Sequence, residues 1–93
     1  MDQQTKQKIL DLIQKEVSID PSTINPDQDL REQVLLDSMQ FVGIAARIEA
    51  AFDIELPITV MEVSTLNQFL EKVDIELGKK LSRGSSRIDA DHN

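Results

Sequence analysis

The chain has 93 residues, no cysteine and a formal net charge of −7. This length allows one small domain, and the lack of cysteine excludes disulfides and thiolate chemistry. The negative charge and the absence of Trp and Tyr argue against nucleic-acid binding. No segment resembles a signal peptide or a membrane span, so we expect a cytoplasmic protein without stable membrane association.

Residue types that usually carry catalysis are scarce. His92 is the single histidine and stands in a polar C-terminal stretch, so no Ser-His-Asp set or histidine-rich metal site is available. The glycines Gly43, Gly78 and Gly84 are scattered and form no phosphate-binding loop. We therefore expect a protein without catalytic activity of its own.

The first periodic segment predicts a helix that ends near Val17, because apolar residues recur at helical spacing from Ile9 onward. Asp2 or Thr5 could cap its start. The following stretch, 18–36, contains Pro21 and several cap-type residues, which predicts a long loop without regular structure. Its expected anchors in the core are Ile19, Ile24, Leu30, Val34 and Leu35.

The second predicted helix starts at Ser38 and ends at about Phe52, ahead of Pro57. A serine in this position lies where unpaired N–H groups and the positive end of the helix dipole favour an attached phosphate. A simple helix cap formed by Asp37 or Ser38 is the alternative that the residues alone leave open. The predicted apolar face of this helix consists of Val42, Ile44, Ala45, Ile48 and Phe52.

Two further helices complete the predicted bundle. Residues 59–63 allow one short turn, and Thr65 or Ser64 could cap a fourth helix that ends before Gly78. The apolar stripe of the fourth helix, which we interpret as core packing, consists of Leu66, Phe69, Leu70, Val73 and Leu77.

Composition changes at residue 78. Residues 1–77 contain six Lys/Arg and fifteen Asp/Glu, a net charge of −9, whereas residues 78–93 contain four and two, a net charge of +2. The second segment is rich in Gly, Ser and charge and poor in apolar residues, so it predicts a flexible polar tail. We therefore divide the chain into a folded domain, 1–77, and a tail, 78–93.

The residues around Ser38 resemble the acyl carrier protein family, in which a modified serine lies in an Asp-Ser-Leu motif. The resemblance extends roughly from Thr5 to Leu77 and implies an all-α fold. This fold is a small four-helix bundle of three longer helices and one short helix, with a long loop between helices one and two. The segments that carry the resemblance are Leu36-Asp37-Ser38-Met39, Val42, Ile48-Glu49 and Phe52-Asp53-Ile54-Glu55-Leu56-Pro57.

The resemblance implies that 4′-phosphopantetheine is covalently attached to Ser38, between Asp37 and Met39. Its terminal thiol would carry an acyl or aminoacyl group as a thioester. Met39 replaces the family's leucine, which is a volume-conserving apolar change. The implied partners are a phosphopantetheinyl transferase and acyl-loading, synthase or transferase enzymes, and we expect the carrier to be a monomer.

Members of this family shelter acyl chains between the second helix and the short third helix. Small side chains beside a deformable methionine could leave room for such a chain here, although tight helix packing would also explain the alanines. The predicted acyl pocket consists of Ala45, Ala46 and Ile48, facing Val60, Met61 and Val63.

The second helix has fewer acidic residues than fatty-acid carriers usually have. We therefore expect docking through less charge and more apolar contact, with Phe41 exposed. The predicted docking residues are Gln40, Phe41, Gly43, Arg47 and Glu49.

This pattern favours a carrier for polyketide, nonribosomal-peptide or other specialised acyl biosynthesis. A housekeeping fatty-acid carrier is one alternative. A D-alanyl carrier is another, because Leu35-Leu36-Asp37-Ser38 and Pro57-Ile58-Thr59 would also suit it. From a different class, an unmodified helical interaction module would use the same amphipathic helices.

Overall fold

The computed structural model describes residues 1–34 and 36–91, with side chains as far as Leu81. It contains the helices α1 (Gln3–Val17), α2 (Leu30–Gln33), α3 (Ser38–Phe52) and α4 (Leu66–Asp91), and two 3₁₀ helices at Pro21–Thr23 and Ile58–Glu62. The predicted all-α fold with three long helices, one short helix and a long first loop is confirmed. Leu35 and His92 lie outside the described residues.

The predicted starts of the long helices are confirmed by their hydrogen bonds. Asp2 precedes α1 and accepts a 2.7 Å bond from the Thr5 N–H, which favours the ionised carboxylate and lowers the pKa of Asp2. At α4, the Gln68 N–H donates to the Thr65 hydroxyl, and the Gln68 amide oxygen accepts from the Thr65 N–H. This reciprocal capping fixes the start of α4 at Leu66.

The core is formed by apolar side chains of α1, α3, α4 and the segments that connect them. Phe41 of α3 and Phe69 of α4 meet edge to face, with ring centroids 5.4 Å apart and planes at 80°. No polar side chain is buried among those described. Other members of the core are Ile9, Ile13, Ile24, Leu30, Val34, Ile44, Ile48, Val60, Val63, Leu66, Leu70 and Val73.

The apolar face of α3 differs from the predicted one at two adjacent positions. Phe41 is buried, with 2% of its surface exposed, whereas Val42 is 54% exposed. Phe41 lies on the same face as Ile44, Ala45 and Ile48, because helical neighbours recur three and four residues apart. The prediction of an exposed Phe41 and an inward-facing Val42 was therefore wrong.

The first loop contains more regular structure than predicted. Asp20 caps the 3₁₀ helix that begins at Pro21, and Asp29 caps α2 by accepting from the Arg31 and Glu32 N–H groups. The proline was interpreted as a helix breaker, but a proline that follows a capping aspartate also starts a helical turn without losing a hydrogen bond.

This loop is fastened to the start of α4 by backbone contacts. The Leu30 N–H donates to the Ser64 carbonyl at 2.7 Å, and the Asn67 N–H donates to the Pro26 carbonyl at 3.1 Å. The loop therefore crosses from α1 to α4 and covers the core with Ile24, as its predicted anchoring role requires.

Helix α4 does not end where the sequence predicts. It continues through Gly78 to Asp91, and Gly78 lacks the positive φ angle of a left-handed cap. Glycine within a helix costs about 1 kcal/mol relative to alanine without preventing the helix from continuing. Just beyond this glycine, Lys80 Nζ donates to the Phe52 carbonyl at 2.7 Å and ties α4 to the end of α3. The division into a domain, 1–77, and a tail, 78–93, stays a prediction.

Helix α1 approaches α3 closely at Gly43. A Cβ atom at this position would overlap Glu16 Oε1, so a larger residue would displace the Glu16 side chain. Glu16 in turn accepts a 2.8 Å bond from Arg47 Nε, one turn further along α3. The glycine therefore makes room for an ion pair between the two helices.

We expect Gly43→Ala to gain less stability than its helix propensity suggests. Alanine should contribute about 1 kcal/mol, but displacement of Glu16 should cancel part of this gain through loss of an ion pair worth about 0.2–1 kcal/mol. In a Glu16→Ala background the full gain should return. Urea unfolding of the four variants measures this coupling. Gly78→Ala is the control, since open space surrounds Gly78, and it should gain equally in both backgrounds.

An equal gain from Gly43→Ala with and without Glu16 would contradict the proposed contact.

Candidate functional site

The start of α3 is fixed by a reciprocal pair of hydrogen bonds. Asp37 Oδ1 accepts from the Gln40 N–H at 2.7 Å, and Gln40 Oε1 accepts from the Asp37 N–H at 3.2 Å. This capping box makes Ser38 the first residue of the helix. Asp37 therefore has the capping role that the residues alone suggested, and Ser38 is free for another role.

The surroundings of Ser38 suit a covalently attached anion. Ser38 is exposed. The N–H groups of Ser38 and Met39 belong to the first turn of α3, and N–H groups in the first turn of a helix have no carbonyl acceptor within that helix. Asp37 takes the N–H of Gln40 and not these two. An oxyanion on the Ser38 hydroxyl would thus lie near two backbone donors and the positive end of the dipole. Met39, with 83% of its surface exposed, flanks this position.

Among the residues that the structure describes, no group of three or more His, Cys, Asp and Glu side chains could hold a metal ion. Within the same residues, no helix combines the length and apolar character that crossing a bilayer requires.

The five predicted docking residues are occupied by contacts within the protein. Gln40 completes the capping box, Phe41 packs in the core and Gly43 faces Glu16. Arg47 pairs with Glu16, and Glu49 Oε2 accepts from the Leu56 N–H at 2.8 Å. The buried ring of Phe41 offers no docking contact, so the predicted role of Phe41 is corrected.

Other apolar side chains are exposed on α3 and on the 3₁₀ helix that follows it in the chain. Met39 and Val42 belong to the first two turns of α3, and Ile58 opens the 3₁₀ helix Ile58–Glu62 with 81% of its surface exposed. The helical period could have identified Val42 once Phe41 was placed inside. We refer to Met39, Val42 and Ile58 as the apolar patch.

The predicted acyl-pocket residues divide between core and surface. Ala45, Ile48, Val60 and Val63 are buried in the common core, and Met61 packs against it from a partly exposed position. Ala46 is exposed because it lies one residue beyond the inward face of α3, so its predicted place in the pocket was wrong. A pocket between α3 and the 3₁₀ helix stays a prediction for the other five.

A small apolar cavity lies in a different part of the core, beneath the first loop. Its volume of about 10 Å³ is close to the space of one water-sized group. It is lined by Ile13, Val17, Ile24, Leu30, Val34, Leu36, Phe41, Ile44, Leu66 and Phe69. The core therefore has little space for a long chain in this conformation.

Arg31 is a residue that the sequence reasoning missed. Its Nη1 donates to the Val63 carbonyl and its Nη2 to the Met61 carbonyl, both at 2.7 Å. The guanidinium carbon lies 4.9 Å from the centre of the Phe41 ring. No sequence motif marks such contacts, because an arginine can bind main-chain carbonyls whatever the side chains of those residues are.

Comparison with known proteins identifies relatives of the chain. Residues 7–73 match the family model described as "Phosphopantetheine attachment site". A D-alanyl carrier protein of Lactococcus lactis subsp. lactis (strain IL1403) is 37% identical over 57 residues, 61% of this chain and 72% of the relative. An acyl carrier protein of Phytoplasma mali (strain AT) is 35% identical over 69 residues, 74% of this chain and 76% of the relative. No solved structure matches the chain.

We expect substitutions of Asp37 to separate capping from charge. Asp37→Ala should lower the free energy of unfolding by about 1 kcal/mol, since the Gln40 N–H loses its acceptor. Asp37→Asn should stay within about 0.5 kcal/mol of the wild type, because asparagine caps helices as well as aspartate does. Urea unfolding measures both values. Equal losses in the two variants would show that the charge of Asp37, and not its hydrogen bond, stabilises α3.

Proposed function

The chain belongs to the phosphopantetheine-binding carrier protein family, and we propose that Ser38 is its attachment site. Members of this family are non-catalytic carriers, and the relatives of this chain include acyl and D-alanyl carriers. The cofactor is 4′-phosphopantetheine. When bound, it supplies a terminal thiol that holds an acyl or aminoacyl group as a thioester.

The position of Ser38 at the head of α3 carries this proposal. Its hydroxyl is exposed to an incoming transferase, and the capping box fixes it at the end of a helix. The two N–H groups of Ser38 and Met39 can solvate a phosphodiester on this hydroxyl. Asp37 positions the serine by capping α3, and Met39 contributes exposed apolar surface beside it.

Modification of the purified protein tests the assignment. Incubation with a broad-specificity phosphopantetheinyl transferase and coenzyme A should add one arm to the wild type and none to Ser38→Ala, as measured by intact mass. Ser22→Ala is the control and should be modified like the wild type. Ser22 is also exposed and near a capping aspartate, but it does not begin a long helix.

Labelling that persists in Ser38→Ala would place the arm elsewhere. A wild type that remains unlabelled would favour the unmodified interaction module.

We further propose that the cargo is a small acyl or aminoacyl group for a specialised pathway, such as polyketide or nonribosomal-peptide synthesis, and not a housekeeping fatty acid. The first turn of α3 has no acidic residue. The Glu49 carboxylate further along α3 is engaged by the Leu56 N–H. Between α3 and the 3₁₀ helix, the core side chains pack together, and a short cargo would need only a local opening there; the sheltering residues would be Ala45, Ile48, Val60, Met61 and Val63.

A D-alanyl carrier is the second candidate, and the similarity to the D-alanyl carrier protein of Lactococcus lactis favours it. A D-alanine ligase with ATP offers a direct comparison. Formation of a D-alanyl thioester on the pantetheinylated protein would support this candidate, whereas loading only by an acyl-loading enzyme would support specialised acyl synthesis. Pantetheinylated Ser38→Ala cannot form, so apo protein is the control for non-specific loading.

Docking of partner enzymes is proposed to use the apolar patch of Met39, Val42 and Ile58. Met39→Ser or Val42→Ser should raise the KM of the transferase about fivefold to tenfold, because central apolar contacts contribute about 1 kcal/mol or more each. Ile75→Ser on α4 is the control, since the exposed fraction of Ile75 is similar to that of Val42 but Ile75 lies on another helix. Its KM should not change.

If docking uses the apolar patch, the rate at which the transferase modifies the protein should depend only weakly on salt concentration, because salt screens exposed charges and leaves apolar burial largely intact. A salt series on the wild type measures this. Steep loss of activity with salt, together with unchanged KM values in both patch variants, would show docking by charge and contradict the specialised-pathway proposal.

A further inference from the structure

The 3₁₀ helix Ile58–Glu62 lies between α3 and α4 and is held at its entrance by α3. The Ile54 N–H donates to the Glu49 carbonyl at 3.2 Å, and the Leu56 N–H donates to Glu49 Oε2 at 2.8 Å. Glu49 therefore holds the segment that leaves α3 through both its main-chain carbonyl and its side-chain carboxylate. No side-chain hydrogen bond caps the start of the 3₁₀ helix itself.

The exit of this segment is held by Arg31, which reaches it from α2 in the first loop. The two terminal nitrogens of Arg31 donate to different carbonyls, those of Met61 and Val63, both at 2.7 Å. Carbonyl groups at the end of a helix receive no hydrogen bond from an N–H group of the same helix, so an external donor satisfies them. Such charge-assisted bonds are stronger than those between neutral groups.

Arg31 is held through both its main chain and its side chain. Its main-chain N–H donates to the capping carboxylate of Asp29 at 2.9 Å, and its guanidinium carbon lies 4.9 Å from the centre of the Phe41 ring. Phe41 lies three residues after Ser38 on α3. Arg31 thus joins the exit of the 3₁₀ helix to the first turn of the helix that begins with the proposed attachment site.

We propose that Arg31 is a positioning residue that holds the 3₁₀ helix Ile58–Glu62 against α3 and thereby fixes the position of the exposed Ile58, a member of the apolar patch. This inference rests on the proposed function where it concerns docking. The restraint matters because short 3₁₀ helices have poor internal hydrogen bonding. Segments with few such bonds open locally without unfolding the rest of the domain.

The chemistry of the contact requires arginine. Its planar fork presents two separate N–H groups to two carbonyls while the face of the guanidinium stacks on an aromatic ring. Lysine keeps the charge but concentrates its donors on one atom, so it can satisfy one carbonyl well and not both. Glutamine removes the charge and the fork together.

Hydrogen exchange of Arg31→Gln and Arg31→Lys tests the restraint. Exchange of the amides from Val60 to Ser64 should accelerate about tenfold or more in Arg31→Gln, because two charge-assisted bonds are lost. Arg31→Lys should be intermediate, and α1 should exchange at the wild-type rate in both. Arg47→Gln is the control, because Arg47 also makes a hydrogen-bonded contact between elements but on the side of α1, and it should leave these amides unchanged.

Modification kinetics with the transferase and coenzyme A test the placement of Ile58. Arg31→Gln should raise KM about fivefold with kcat within about twofold of the wild type, since docking is weakened and Ser38 is untouched. Arg31→Lys should recover part of this loss. Ile58→Ser should raise KM by a similar factor, and adding it to Arg31→Gln should bring little further change, because both substitutions remove the same contact.

The outcomes separate this inference from the proposed function. An unmodified wild type would refute the attachment site, while the exchange experiment would still test the hold of Arg31. Unchanged exchange at Val60–Ser64 in Arg31→Gln would overturn the restraint. Equal acceleration in α1 would also overturn it, because Arg31 would then stabilise the whole domain. Faster local exchange with an unchanged KM would overturn the link to docking.

Discussion

The edge-to-face contact between Phe41 and Phe69 joins the first turns of α3 and α4. The chain has only three aromatic residues, and two of them meet here. The contact fixes α3 against the rest of the bundle within one turn of Ser38, and the guanidinium of Arg31 rests on the same Phe41 ring. The position of the proposed attachment site, the packing of the core and the contact of Arg31 with α3 therefore all involve this pair.

Charged side chains in this domain act mainly on main-chain groups. Aspartates accept N–H groups at the start of each helical element before Ser38 and at α3 itself, while Arg31 and Lys80 donate to carbonyls at the ends of others. The aspartates in this role are Asp2, Asp20, Asp29 and Asp37. Four of the seventeen acidic side chains thus stabilise the starts of helical elements, and the first turn of α3 itself contains no acidic residue.

Sequence patterns predicted the starts of the long helices, including the place of Ser38 at the head of α3, because capping residues and helical periodicity are local signals. They misplaced Phe41 and Val42, because the inward face was drawn through Val42, although Phe41 has the helical spacing to Ile44, Ala45 and Ile48. Gly78 was misread because the left-handed conformation that ends a helix cannot be inferred from glycine alone. The contact of Gly43 with Glu16 was not predicted, and Arg31 was missed altogether. In both cases the partner is distant in sequence: Glu16 for Gly43, and the carbonyls of Met61 and Val63 for Arg31.

The contact of Gly43 with Glu16 also has an evolutionary consequence. A residue without a side chain at 43 permits a long side chain at 16, which in turn reaches Arg47. Relatives with a bulkier residue at the position of Gly43 would need a shorter or differently directed one opposite it, and would lose the selective reason to keep arginine one turn later. Positions 16, 43 and 47 should therefore change together across the family, as a covarying set that records how closely α1 approaches α3.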